Sequence, residues 1–365
     1  MNKIKNIICV ILFFLLIVST SVVCILKPAD EYSDAERRQL AQLPEVNAET
    51  ISNGEFMQGF EEYAADQFPF RDKLRSLKAF FATKILRKAD NNGLFTTDGH
   101  ISKIDDAEND YMTDYSAKLF EKVYNQYLKD NKIYFSIVPD KNYFLANKNG
   151  YPSLDYKGFA ERMANKMDFA EYIDIFPLLS AEDYYKTDTH WKQENITDIA
   201  QYLAEKMGAD AKAEYTENTL EIPFYGVYTG QYAMSVKPDT IKYLTNETLE
   251  NCIVTYYDTG MPKQGEMYNM KKAQGKDPYE MFLSGVAPLI TIENPWADTE
   301  KELVMFRDSY GSSLAPLMAE GYKKITIIDL RYVQSGFLGN LVDFGKSDVL
   351  FIYSTALLNN SLAMK

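Results

Sequence analysis

The sequence predicts an α/β fold, a parallel sheet covered by helices on both faces, set behind an N-terminal membrane anchor. Three observations predict it. Short β-branched and aromatic runs alternate with stretches of helical period, as in βαβ units. Those runs are mostly apolar, as strands of a parallel sheet covered on both faces are. They are KIYFSIV (Lys132–Val138), LVMF (Leu303–Phe306), KITIIDL (Lys324–Leu330) and DVLFIY (Asp348–Tyr353). The chain also has 365 residues, 46% of them hydrophobic, enough to fill the core such a sheet needs.

The elements follow in order. After Lys3 and Lys5, the run from Ile7 to Leu26 holds no charge. As a helix it spans about 30 Å, the thickness of a hydrocarbon core. The leading lysines keep the short end cytoplasmic and place everything after Lys27 outside. Val22 and Val23 precede Cys24, so no small-x-small site closes the run, and an uncleaved anchor is favoured over a cleaved signal peptide. Residues 1–6 then form a cytoplasmic tail, 7–26 the anchor, 27–90 a stem with N-terminal helices, and 91–365 the main domain.

Helical stretches are expected over Gly54–Asp66 and Arg71–Ala89. In the second, Leu74, Leu77, Phe81 and Ile85 make one apolar stripe. Asn91–Phe95 turns into a strand. A helix over Tyr111–Asp130 precedes the first buried strand. A helix near Phe159–Tyr172, a short strand Tyr172–Ile175 and a helix Asn195–Met207 follow. Residues 208–297, rich in Tyr and Thr and without helical period, read as a mixed insertion holding a few strands, among them Leu289–Ile292. Beyond it, helices are expected at Ser312–Glu320 and Phe337–Phe344, between the last three strands.

Acids outnumber bases 52 to 39. Setting aside Lys3, Lys5 and Lys27 leaves 36 bases against those 52 acids, or −16 beyond the anchor. That excess argues against a nucleic-acid partner, which needs phosphate neutralisation. Three Cys and two His cannot build a Cys/His zinc cage. No metal or cofactor is expected. Only Cys252 lies outside the span, so no internal disulfide is expected either.

Two segments carry candidate chemistry. In YYKTDTHW (Tyr184–Trp191), Asp188 and His190 are two apart and in an extended segment would project to one side. The carboxylate can accept from His Nδ1–H and leave Nε2 free as a base. In FRDSYGS (Phe306–Ser312), a strand runs into a helix, so Ser309 sits where α/β sites form and the helix start offers free N–H groups. Asp308, Ser309, Ser312 or Ser313 could equally serve as plain helix caps. Together the segments suggest Ser309 as nucleophile, His190 as base and Asp188 as its orienter, with an oxyanion hole from the backbone of Ser309, Tyr310 and Gly311. His100, after the Asp98-Gly99 turn, reads as a loop histidine. Asp308 beside the nucleophile calls for an offsetting Arg307 or Arg331. Tyr185, Arg331 and Tyr353 are substrate-binding candidates at the same edge; Tyr184 and the Phe224–Tyr232 segment are further aromatic candidates. Lys141 is either a site lysine or a helix-start cation.

YYKTDTHW, RDSYGSSLAPLM, ITIIDLRY and the early stretch from Ser52 to Lys78 resemble the DHHW family of Gram-positive bacteria. Thr189 stands at the second signature position, so only His190 can be the base. That family is similar to the SGNH-like domains of the alginate O-acetyltransferases of the AlgJ and AlgX type. The resemblance implies a flavodoxin-like three-layer SGNH domain of permuted strand order, and extracytoplasmic transfer of acetyl through an acetyl-serine to hydroxyls of a cell-surface or secreted polysaccharide. It implies a membrane-bound O-acyltransferase partner as acetyl donor. A polysaccharide acetyl esterase and a non-catalytic envelope polysaccharide-binding or assembly protein stand as alternatives.

Overall fold

The computed structural model describes residues 2–258 and 261–365. The chain forms two compact units, one of residues up to Asn92 with Thr229–Ser235, the other of Gly93–Tyr228 with Val236–Lys365.

The first unit begins with α1 (Asn2–Leu26). Within its stretch Lys3–Leu26 an 18-residue window has mean hydropathy 3.0 and is not buried in protein, and the stretch is long and apolar enough to cross a membrane. A small hairpin of β1 (Tyr32–Ser33) and β2 (Arg38–Gln39) follows. Then come α2 (Ala48–Ser52), capped by Asn47, α3 (Glu55–Asp66) and α4 (Arg71–Phe80), which runs on as one π turn over Phe81–Ile85. Buried Gln67 ties the stem together, accepting from the Asp30 N–H and donating to the carbonyls of Asp30 and Ala41. The helical run stops at Ile85 rather than Ala89. Its apolar stripe faces outward and belongs to no core.

The second unit opens with the hairpin β3 (Leu94–Thr97) and β4 (His100–Lys103), then α5 (Asp110–Val123), extended by a π turn to Leu128. β5 (Ile133–Val138), α6 (Tyr156–Lys166), β6 (Glu171–Tyr172) and α7 (Thr197–Lys206) follow. The stretch read as an insertion supplies the hairpin β7 (Thr216–Thr219) and β8 (Lys242–Thr245), and β9 (Ile253–Tyr256), β10 (Lys263–Gly265) and β11 (Leu289–Glu293). The chain ends with β12 (Glu302–Arg307), α8 (Gly311–Met318), β13 (Lys324–Ile328) and β14 (Asp348–Ser354). Only a 3-10 segment, Ser335–Asn340, forms where a helix over Phe337–Phe344 is expected. Gly336 and Gly339 lie within it and weaken an α-helix there.

Eight strands make one sheet in the order β10-β9-β11-β13-β12-β14-β5-β6. From β13 to β6 every pairing is parallel; β11, β9 and β10 extend the sheet antiparallel. Numbered from β12, the parallel part reads 2-1-3-4-5, the flavodoxin-like order, while the chain enters it at its fourth strand. This is the permuted three-layer α/β arrangement. Strand order reverses between β12 and β14, the switch point at whose carboxyl edge α/β sites lie.

Alternate residues of the central strands feed two cores. Leu303, Met305, Leu350 and Ile352 pack with α7 and α8 through Ile199, Leu203, Leu314 and Leu317. Val304, Phe306, Val349 and Phe351 pack with α5 and α6 through Phe120, Val123, Phe159 and Met163. This two-sided packing fixes the height of every residue on the sheet edge, including those that follow β12.

His100 is not a loop histidine. It starts β4, is fully buried, and neither ring nitrogen has a hydrogen-bond partner among the described residues. Glu182 Oε1 lies 3.6 Å from Nε2. Burial, with the nearby Lys141 charge, pushes its pKa down to about 4, so the folded chain keeps it neutral while the unfolded chain protonates near pH 6.5. Stability is therefore full above pH 6.5 and falls as pH drops towards 4, by about 3 kcal/mol from this group. Denaturant unfolding of the wild-type chain and of His100→Phe across pH 4–7 checks this: the variant should lose that much less on acidification.

Candidate active site

β12 ends at Arg307, and the next residues turn sharply into α8. Asp308 shapes the turn. Its Oδ1 accepts from the Tyr310 N–H at 3.0 Å and its Oδ2 from the Ser354 N–H at 2.8 Å, tying the ends of β12 and β14 together. The anionic neighbour of Ser309 is thus held by amide donors, and Arg307 Nη1 donates to its carbonyl. Gly311 is required for close approach, because a Cβ there would lie 2.6 Å from the Arg307 Cβ.

The segment bearing Asp188 and His190 is a closed loop rather than an extended segment. Tyr184 bridges to Trp191, and the Tyr185 N–H donates to the His190 carbonyl at 3.0 Å. Within it the His190 N–H donates to Asp188 Oδ1 at 3.1 Å, an Asx turn that folds the imidazole back over its own carboxylate.

The two segments meet. His190 Nδ1 lies 2.6 Å from Asp188 Oδ1, and His190 Nε2 lies 2.7 Å from Ser309 Oγ. With Nδ1–H donating to the buried carboxylate, Nε2 is left to accept from the serine hydroxyl. Asp188 is buried, while His190 and Ser309 are half-buried, so solvent reaches the site from the imidazole and hydroxyl side. Asp188 Oδ2 takes a further N–H, from Val227, at 2.8 Å.

The loop is held from every side. Trp191 Nε1 donates to the Tyr310 carbonyl and Ser313 Oγ, and Gln193 Nε2 to the Ser313 carbonyl, fastening the loop to the start of α8. Asp239 accepts from the N–H groups of Lys186 and Thr187 and from the Thr187 hydroxyl. The Tyr279 ring stacks on the imidazole, centroids 3.9 Å apart and planes 10° from parallel. Its hydroxyl pairs with Ser313 Oγ.

Lys141 is wholly buried, and its ammonium donates to the carbonyls of Tyr185, Lys186 and Asp188. It also lies 5.0 Å from the centroid of Tyr228. Burial lowers its pKa to about 8 against the raising effect of Asp140. Three donors spent on three loop carbonyls make it a positioning residue, not a helix-start cation.

Other expectations need correction. Of the amides assigned to an oxyanion hole, the Tyr310 N–H is bound to Asp308 Oδ1 and the Gly311 N–H to the Asp308 carbonyl. Only the Ser309 N–H is uncommitted among the described residues. Tyr184 and Tyr185 do not line an opening: both are buried, with Tyr184 donating to the Pro139 carbonyl and Tyr185 packed edge-on to Phe224 and Tyr279. Tyr353 is buried as well, stacked on Phe120, because its place in β14 points it into the α5 side of the sheet. Arg331 remains partly exposed, its Nε and Nη2 clasped by Asp329 at 2.9 and 2.6 Å. Asp329 also draws in Arg307.

Sequence reading missed Gly226, Val227, Asp239 and Tyr279. Gly226 is the most exacting: a Cβ there would sit 2.3 Å from the Asp188 Cβ and 2.4 Å from the Thr187 carbonyl. Gly226→Ala is therefore expected to displace Asp188 and lower turnover by about 100-fold, the scale of an ångström misplacement, with the fold retained. Steady-state kinetics beside circular dichroism checks this.

No family model matches the chain, and comparison with curated proteins finds no match. Solved structures do share its fold. A DHHW family protein from Eubacterium siraeum is 22% identical at a TM-score of 0.60, over 75% of this chain and 94% of the other. PatB1 from Bacillus cereus, described with a sulfonyl adduct, is 20% identical at 0.56, over 73% and 95%. The O-acetyltransferase domain of Pseudomonas putida AlgJ is 11% identical at 0.45, over 73% and 92%. At these identities the likeness to the first two is one of fold.

Proposed function

We propose that the protein is an O-acetyltransferase acting outside the cytoplasm on hydroxyls of a cell-envelope or secreted polysaccharide. The observation that carries this reading is the continuous hydrogen-bonded chain Asp188–His190–Ser309 at the switch point of the sheet. In the first step the Ser309 proton passes to His190 Nε2 while Oγ bonds to the acetyl carbon. The bond to the leaving group then breaks, and that group departs with the proton from His190. In the second step a sugar hydroxyl gives its proton to His190 and attacks the acetyl-serine; the bond to Oγ breaks, and Ser309 leaves as the hydroxyl with that proton from His190. Asp188 holds the tautomer and stabilises the imidazolium throughout. The Ser309 N–H would serve as a backbone donor to the developing oxyanion.

The fold shared with a DHHW family protein and the resemblance of YYKTDTHW and RDSYGSS to that family support acyl transfer over other uses of such a triad. With α1 crossing the membrane and its lysines inside, the catalytic unit faces the polymer it modifies. A membrane-bound O-acyltransferase would hand acetyl groups across the bilayer to Ser309.

The test offers the full chain in detergent an activated acetyl ester, with and without neutral oligosaccharides, and follows the sugar by mass spectrometry. Acetylated oligosaccharide that disappears in His190→Ala is the expected result. Ester hydrolysis with no acetylated sugar would make the protein an esterase instead.

A further inference from the structure

α4 and its π turn are built the wrong way round for a helix on a soluble protein. At about 100° per residue, Leu74, Leu77 and Phe81 fall within one narrow arc of α4, with Phe70 just ahead of the helix and Ile85 at the end of its π turn. All five are exposed, from 44% at Leu74 to 71% at Phe70. Phe80 and Leu86 are exposed as well. The opposite face is the docked one. There Ala79 and Ala82 are buried, Arg71 pairs with Glu36 and Asp66, and Arg75 pairs with Glu36 and donates to the Gly230 carbonyl. The helix is thus fixed by its charged side and presents its apolar side outward, a patch a soluble surface does not leave uncovered.

Charge is segregated along the same element. Residues 71–88 hold seven bases and one acid in a chain of net charge −13. Lys73 and Lys84 flank one side of the stripe and Lys78 the other, and all three are exposed. An apolar face bordered by lysines is the composition of a helix lying in a membrane interface, where the stems of the lysines extend along apolar surface and their heads meet anionic headgroups. The same unit contains α1, long and apolar enough to cross the bilayer.

We propose that α4 and its π turn lie in the plane of the outer membrane–water boundary, the stripe from Phe70 to Ile85 seated among lipids of which a fraction is anionic. The bilayer is favoured over a partner protein because the patch is cationic, as an anionic lipid surface requires, and because the candidate span belongs to the same unit. Such a contact gives the protein a second membrane attachment besides the span.

The full chain in nanodiscs tests this, with Cys9, Cys24 and Cys252 replaced by alanine and a fluorophore placed on Leu77→Cys or, on the opposite side of the helix, Asp72→Cys. Neither position is buried, so both variants should fold. In discs containing phosphatidylglycerol and brominated lipid, the label at position 77 is expected to be quenched several-fold more than that at position 72. Lys73→Gln with Lys84→Gln should reduce the difference. Equal quenching at the two positions overturns the proposal. So does quenching of a label in a control variant that keeps Cys24 of the span as its one thiol, with none at position 77, or shielding of position 77 only when a partner protein is added.

Discussion

Replacing Ser309 with alanine is expected to reduce acetyl transfer from an activated ester by at least about 1,000-fold. In the proposed mechanism the hydroxyl is the group that bonds to the acetyl carbon, and no neighbour is placed to substitute for it. Ser312 Oγ is buried with no hydrogen-bond partner among the described residues, and Ser313 Oγ is committed to Trp191 and Tyr279. Whatever rate survives reflects water attacking ester bound in the remaining site. Stability should change by less than about 0.5 kcal/mol, because half-buried Ser309 donates only to His190 and fills no core space. Kinetics and thermal unfolding on the same preparation separate the two quantities. A large activity loss with an unchanged melting curve is the expected pair.

Asp188→Asn is expected to cost about 10,000-fold in turnover, again with the fold intact. The reason lies in the donors around the carboxylate. Oδ1 receives the Nδ1–H and main-chain N–H of His190, while Oδ2 receives the Val227 N–H. An asparagine has one acceptor oxygen. If it faces Val227, its NH2 meets Nδ1, and the imidazole must adopt the tautomer whose Nε2–H points at Ser309 and cannot accept its proton. If it faces His190, its NH2 confronts the Val227 N–H. Either orientation fails, so the loss should appear mainly in kcat. Measuring kcat and KM separately checks this.

The reacting residues were legible because their signals are local. Asp188 and His190 lie two apart, and Ser309 follows a buried strand and precedes a helix. The wall around them was not. Val227 contributes a main-chain N–H, which any residue type could supply, and Gly226 matters only because Asp188 packs against it. Tyr279 is one of 27 tyrosines, in a stretch without periodicity, and reaches His190 through tertiary closure alone. Tyr185 and Tyr353 were misassigned for a related reason. Nearness in sequence to a sheet edge gives a residue's height on the sheet, whereas the pleat decides which side it faces, and for Tyr353 that side is the core under α5. The fold was more legible than the wall, since four apolar runs in βαβ spacing dictate a parallel sheet. The end of the α4 helix and the 3-10 segment at Ser335–Asn340 depended on glycines and neighbours that periodicity does not weigh. The stripe from Leu74 to Ile85 shows the same limit, because period identifies one face of a helix but not the medium that covers it.

The central claim is that Ser309 is acylated during turnover. Mixing the full chain with an activated acetyl ester, quenching in acid and mapping peptides by mass spectrometry tests it most directly. One acetyl group on the peptide containing Ser309, absent from His190→Ala, is the result the account predicts. An unmodified Ser309 peptide during active turnover, or acetyl carried by a different residue, would contradict it.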